Sequence, residues 1–416
     1  MGEGDKVSLN RVVITGRGAV SPFGLGVDKL IENIWAGNSA VRAMPEWDSI
    51  TGMNSRIAAP VPEFDCKKLL PRAVRRSMGQ MAIYAALATK EAIGDAGLTE
   101  DVVQGGETGV AIGSTTGSPS MYEAFYSKYL PDRVFSEIKS GEFFTMMGHS
   151  CAANVCLALG ITGEQWAPVS ACTSSSQAIG LGYMLIQAGR QEVMLCGGAE
   201  EAHSSVTGVF DLLRAASLNN DNPEGACRPF DQARDGVVCG GGAGILVLES
   251  YTSAKARGAK IYGEIVGFGN VNDSRHIANP DKNSMMRAMS RAMEEGGLTA
   301  KDIDYVNAHA TGTELGDIAE ATAIAAVVDG ETPVSSFKGH LGHTLGAAGA
   351  LELIGVLAML ERQDVIPTRN LQEVDPRCLG ANLQMEKRKA KITAILKNNF
   401  ALGGVNTSLA IRKMDV

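Results

Sequence analysis

The sequence has no apolar run long enough to cross a membrane; the longest candidates are broken by glycine or, in GALELIGVLAML, by Glu352. Its opening, MGEGDKVSLN, lacks the apolar centre of a signal peptide, and Lys6 stands where a myristoylation signal needs Ser or Thr. No CxxC pair occurs among the eight cysteines, at 66, 151, 156, 172, 196, 227, 239 and 378, so a zinc site is not expected. Without an export signal these cysteines are expected to be reduced thiols in a cytoplasmic protein. Positive charge is not in excess: 38 Lys and Arg stand against 46 Asp and Glu, which argues against general nucleic-acid affinity. Low-complexity segments and long linkers are absent, and only six histidines occur.

What is present is a soluble globular composition, 45% hydrophobic and 20% charged, in 416 residues. That length is too great for one ordinary core and calls for two domains or one duplicated unit. Short apolar runs (RVVITG, TGVAIGS, EVMLCGG, AGILVLES, IYGEIVGFG, IDYVNAH, ITAILKNN) alternate with Ala/Leu/Met-rich helical stretches. Continuously apolar strands alternating with helices indicate an α/β fold whose strands are buried on both faces. PVSACTSSSQAIG, from Pro168, is echoed by PVSSFKGHLGHTLGAAG, from Pro333, with Phe337 in the place of Cys172. Both read as strand, small-residue turn and glycine-rich helix. The echo suggests duplication, with an N-terminal half over 1–255 and a C-terminal half over 256–416.

Three stretches carry the candidate chemistry. Cys172 falls at the start of a helix, where unpaired N–H groups and the dipole favour a thiolate, and its small neighbours leave room for a substrate. A buried, inert cysteine is the competing reading. His309 ends an apolar strand in VNAHATGT, a place where α/β folds gather functional groups, and Thr311 and Thr313 offer hydroxyls beside it. KGHLGH adds Lys338 and His343, while His340 reads as a structural or rim residue. Glu352 interrupts an apolar helix and needs a partner if buried, for which Lys338 is suitable; otherwise it faces solvent. The KNNFALGG turn could present backbone N–H groups to an oxyanion.

Taken in order, VSACTSS, NAHATGT and KGHLGH resemble the β-ketoacyl-[acyl-carrier-protein] synthases, in the branch of elongating type II fatty-acid enzymes and polyketide ketosynthases. The resemblance runs from VVITGRGAVSPFG through RPFDQARDG to NNFALGGVNTSLAI. It implies an α/β, thiolase-like fold of two duplicated halves in an α-β-α-β-α arrangement, usually dimeric. It implies that Cys172 is the acylated nucleophile, and that His309 and His343 serve decarboxylation and condensation. Lys338 matches the active-site lysine, and Glu352 its acidic partner. Thr311 and Thr313 match the threonines that hold a phosphopantetheine arm, and the N–H groups of Cys172 and Leu402 match the oxyanion hole. No metal or cofactor is implied beyond the phosphopantetheine that an acyl-carrier protein brings. Lys67, Lys68, Arg72, Arg75 and Arg76, with Arg214, are the expected docking patch for that acidic partner; a solvated face is the alternative.

Departures from the resemblance bear on substrate. The acyl-pocket gate falls on Phe400 and Leu402, with Leu402 where a phenylalanine is usual, and Thr116 in GSTTGS gives a more polar pocket lining. Val237 and Gly241 replace a phenylalanine and an acidic residue, and TGT after His309 has a polyketide character. The expectation is a specialised polyene or type II polyketide ketosynthase, homodimeric or paired with a chain-length-factor-like subunit. Housekeeping fatty-acid elongation is the alternative, and a non-catalytic chain-length-factor-like subunit is the reading from another class. Thiolase and hydroxymethylglutaryl-CoA synthase readings are disfavoured by the two histidines with Lys338. A CoA-primed initiating synthase would pair His with Asn, and a Cys-His protease has no use for the second histidine.

Overall fold

The computed structural model describes residues 9–414; residues 1–8, with Lys6, and 415–416 lie outside the described part. The first half contributes β1 (Val12–Ser21), β2 (Thr108–Gly113), β3 (Gln165–Trp166), β4 (Val193–Glu200) and β5 (Gly242–Ser250). The second contributes β6 (Gly263–Asn272), β7 (Tyr305–Asn307), β8 (Pro333–Ser335), β9 (Ala394–Phe400) and β10 (Val405–Arg412). Every residue of β1, β2, β4, β5 and β9 is buried, as continuous apolar runs require when both faces are covered.

These strands run in the order β3-β2-β4-β5-β1-β6-β10-β9-β7-β8, and the short strand Asn382–Leu383 pairs beyond β8 at that edge. Counted within its own half, each set follows the same order, third, second, fourth, fifth, first. The directions match as well. β2 is parallel to β3 and β4, and β5 is antiparallel to β4 and β1. Likewise β7 is parallel to β8 and β9, and β10 is antiparallel to β9 and β6. The halves join where Val12–Ile14 pairs antiparallel with Gly263–Ile265. The expected duplication is therefore present in the sheet topology.

Helix α1 (Gln80–Ala96) covers β1 and β5 from outside, and α3 (Lys282–Glu295) covers β6 and β10 in the same manner, with α4 (Glu314–Val327) beside α3. Helices α2 (Ser174–Gln187) and α5 (Ala348–Arg362) touch each other and strands of both halves, forming the central layer. Residues Ala348 through Leu360 are all buried, as expected of a helix apolar on every side. The layers thus follow the expected α-β-α-β-α order, and the N-terminal ends of α2 and α5 come together at its centre.

The internal echo is real but its register differs from the sequence reading. Pro168–Ser170 is not a strand; the third strand of the first half is the two-residue β3 before it. Ala171–Thr173 forms a 3-10 turn into α2, and Leu345–Ala347 forms the matching turn into α5. Each turn opens on a non-glycine residue with positive φ, Ala171 at 50° and Leu345 at 47°. Gly346, not Phe337, is therefore the structural counterpart of Cys172. Between strand and turn the second half has the longer connection, 336–344 against 167–170, and this lengthened segment carries Lys338 and His343.

Candidate active site

Residues from both halves meet in one cleft. Cys172, His309, His343 and Phe400 are among its buried members, whereas Arg214, Ile277, Leu315 and Leu402 are exposed and lie at its mouth. The Cys172 sulfur and one ring nitrogen each of His309 and His343 lie within 4.8 Å of one another. The two imidazoles meet edge to face, with centroids 5.0 Å apart, and Phe400 lies 6.2 Å from His309.

Cys172 sits in the tight turn before α2. Its own N–H and that of Leu402 both favour the thiolate form of the sulfur. The thiolate expected from the helix N-terminus is nevertheless not the resting state. Burial pushes the thiol up to about 12, against the opposing pull of Lys338 and the two amides. Desolvation of a buried anion outweighs a helix dipole here.

The hydrogen bonds fix the histidine tautomers. Leu345 N–H donates to Nδ1 of His343 at 3.3 Å, so the proton of that ring is on Nε2, which is buried without a protein partner. Asn399 Oδ1 accepts from Ser176 Oγ at 2.7 Å and from Lys397 Nζ at 2.9 Å. Its Nδ2–H is therefore the group that faces His309 Nδ1, at 3.3 Å, and His309 too carries its proton on Nε2. Burial drives both imidazoles well below their ordinary value, with Lys338 and Lys397 adding to the effect and His343 adding at His309. Both rings are neutral donors at pH 7. One thiol and two imidazoles at this spacing resemble a metal donor set, which the lack of CxxC pairs does not address. A metal needs a free lone pair, and the bonds at both Nδ1 atoms put N–H on the remaining nitrogens.

Glu352 is buried, not solvent-facing, and Lys338 is its partner: Nζ donates to Oε1 at 2.5 Å. A second buried lysine, Lys397, forms an ion pair with Oε2 at 2.7 Å. Burial would raise the Glu352 carboxyl, and the two ammonium groups overcome it and hold the group below its ordinary value. His340 is buried with Nδ1 2.8 Å from the Asn38 carbonyl oxygen, a structural contact.

The loop after β7 is held by α4. Glu320 accepts the N–H groups of His309 and Ala310 at 2.8 and 2.6 Å, and Asp317 those of Thr311 and Gly312 at 3.0 and 3.2 Å. Thr311 and Thr313 line the cleft with their hydroxyls 3.0 Å apart. Thr116 does not join them: it is exposed and outside the cleft, so the pocket role expected of it is not met within this chain. Lys67, Lys68, Arg72 and Arg76 are exposed and Arg75 is half-buried, but none of the five lines the cleft; Arg214 does. The residues missed in the sequence are Lys397, Asn399, Ser176, Asp317 and Glu320. The signal for Lys397 was available: a lysine within the apolar strand ITAILKNNF poses the same pairing problem as Glu352.

Comparison with known proteins agrees with this geometry. Residues 9–254 match the family model "Beta-ketoacyl synthase, N-terminal domain", and residues 262–372 match "Beta-ketoacyl synthase, C-terminal domain". The chain is 36% identical to 3-oxoacyl-[acyl-carrier-protein] synthase 1 of Haemophilus influenzae, over 98% of this chain and 100% of that one. Among solved structures, a beta-ketoacyl synthase from Burkholderia phymatum superposes with a TM-score of 0.95 at 44% identity, covering 98% of this chain and 100% of that one. The ishigamide ketosynthase/chain length factor superposes with a TM-score of 0.91 at 30% identity and the same coverage. With both family models matched in sequence and the duplicated fold in place, the chain belongs to the beta-ketoacyl synthase family.

Proposed function

We propose that the chain condenses an acyl group, held on Cys172, with malonyl-acyl-carrier protein to give a β-ketoacyl-carrier protein. The observation that carries this reading is the convergence of one thiol and one ring nitrogen from each of two histidines within 4.8 Å, with both rings bonded so that Nε2 carries the proton. In the first step the Cys172 sulfur bonds to the acyl carbonyl carbon. The amides of Cys172 and Leu402 stabilise the tetrahedral oxyanion. The carrier thiolate leaves and takes the proton that the thiol has lost. In the second step the malonyl thioester oxygen accepts hydrogen bonds from His309 and His343. The bond to the carboxylate breaks, CO₂ departs, and its electron pair forms an enolate stabilised by the same donors. The enolate carbon attacks the acyl–Cys172 carbonyl. The carbon–sulfur bond breaks, and one proton from solvent restores the thiol.

Lys338 and Glu352 hold the loop of His343, and Thr311 and Thr313 receive the phosphopantetheine arm. Arg214, at the mouth, and the exposed 67–76 stretch receive the acidic carrier. No resident cofactor takes part. Leu402 at the mouth supports a specialised polyketide or polyene substrate, and similarity to a type II PKS ketosynthase structure supports the polyketide reading. The names of the 3-oxoacyl-[acyl-carrier-protein] synthases favour the second reading, housekeeping elongation. The edge strand β3, with Trp166 and Val169 exposed beside it, supports assembly with a second copy or a chain-length-factor-like partner.

Intact-mass analysis with a panel of acyl-carrier proteins, followed by addition of malonyl carrier, tests the reading. Acylation of the wild type but not of Cys172→Ala, then a product two carbons longer, is expected. Folded protein that never acylates, with or without a partner subunit, would leave the non-catalytic reading. Leu402→Phe is expected to shorten the accepted chain; an unchanged profile would remove the gate role of Leu402 and favour housekeeping elongation.

A further inference from the structure

Lys397 has no part in the chemistry above, yet it lies behind all of it. It stands in β9, fully buried and outside the cleft lining. Its Nζ donates to the Asn398 carbonyl oxygen at 2.6 Å and to Asn399 Oδ1 at 2.9 Å, and meets Glu352 Oε2 at 2.7 Å. Asn399 Oδ1 is also bound by Ser176, one turn beyond Cys172 on α2, and the other end of that amide meets His309. One ammonium group therefore ties together the partner of Lys338, the helix of the nucleophile and the back of His309. A neutral side chain would fill this place without the cost of burying a second cation.

We propose that Lys397 is a positioning residue for the condensation step: through Asn399 it fixes His309 as the Nε2–H donor, and it places a second buried positive charge behind both histidines. This rests on the condensing function proposed above. The charged and titratable groups around it are Glu352 from α5, Lys338 from the lengthened segment, Glu320 from α4, and the two histidines. Lys338 and Lys397 against Glu352 leave one net positive charge from these three groups, which opposes protonation of the imidazoles; Glu320, pushed up to about 7 by burial, offsets it only in its ionised form. Burial brings Lys397 down to about 8, so it is a cation at neutral pH.

The sign of the pH effect follows. The wild-type histidines lie well below 6.5, so their protonated forms appear only in acid. Removing the Lys397 charge moves them up, and the loss of activity on acidification then begins at higher pH. Lys397→Met keeps the length of the side chain and leaves Lys338 and Glu352 as a balanced pair. Asn399→Ala breaks the link while keeping the charge.

Three measurements on the full chain test this: acylation of Cys172 by intact mass, condensation with malonyl carrier as a function of pH, and ¹⁵N spectra of labelled histidine. For Lys397→Met, acylation is expected within about twofold of wild type and condensation at least roughly tenfold lower at neutral pH, with the acid limb moved toward 6.5. For Asn399→Ala the His309 spectrum is expected to lose its pure Nε2–H signature, and condensation to fall. The double variant is expected to add little beyond the larger single effect. Wild-type pH profiles and histidine spectra in both variants would overturn the proposal. If Lys397→Met shows no folding transition, Asn399→Ala decides it by the same readings. A wild type that acylates but never condenses would remove the condensing function, and the histidine spectra would still decide the role of Lys397.

Discussion

At the residue scale, the site is governed by what burial does to charge. The thiol of Cys172 is raised, the imidazoles are lowered, and Glu352 stays ionised only because two ammonium groups face it. Glu352→Gln leaves Lys338 and Lys397 buried against a neutral amide. The expected loss is about 3–5 kcal/mol, the range for breaking a buried ion pair from one side. Denaturant midpoints at constant slope would measure it, and a loss below about 1 kcal/mol would mean that the lysines discharge freely or reach water. Cys172, His309, Lys338 and His343 were legible as residues, because scarce types in small-residue turns stand out. The protonation of Cys172 was not legible. It depends on how many neighbours exclude water, and a position at a helix start says nothing of that.

At the element scale, the two halves repeat a packing device. Gly16 and Gly18 of β1 lie directly under the Ala92 and Ala88 carbonyl oxygens of α1, and Gly267 and Gly269 of β6 lie under Ala292 and Ala288 of α3. A Cβ at any of the four would collide with helix backbone, which cannot swing aside as a side chain can. Gly269→Ala is therefore expected to destabilise by about 1–3 kcal/mol, the usual cost of overpacking, with the same reaction chemistry in the folded fraction. Thermal melts beside condensation assays would show it; an unchanged melting point would mean that α3 floats on its sheet. The long strands were readable because burial on both faces leaves an unbroken apolar run. β3 was not: two exposed residues, Gln165 and Trp166, carry no such pattern, and only the neighbouring β2 makes them a strand. The same lack of a local signal shifted the apparent register of the internal echo, since Pro168–Ser170 forms no strand.

At the scale of the whole molecule, an edge strand remains open. β3 ends the sheet on one side, Trp166 is 43% and Val169 57% exposed, and Leu157 of the adjoining helix is 74% exposed. A second copy pairing along this edge would bury them. Trp166→Asp is expected to weaken self-association at least roughly tenfold, read by light scattering across a dilution series; an unchanged mass would move the contact elsewhere. Among the described residues, no helix is long and apolar enough to cross a membrane. The sequence by itself determined the alternation of strands and helices, the duplication, and the nucleophile, histidine and lysine candidates, because each is written in local pattern or in rare residue types. Tertiary structure alone decided that Lys397 joins Glu352, that Asn399 sets the tautomer of His309, that Thr116 lies outside the cleft lining, and that Arg214 rather than the 67–76 stretch reaches the cleft. Those facts arise where chain segments distant in sequence share one dry interior, and charge and hydrogen bonding there are settled by neighbours that no local run of residues names.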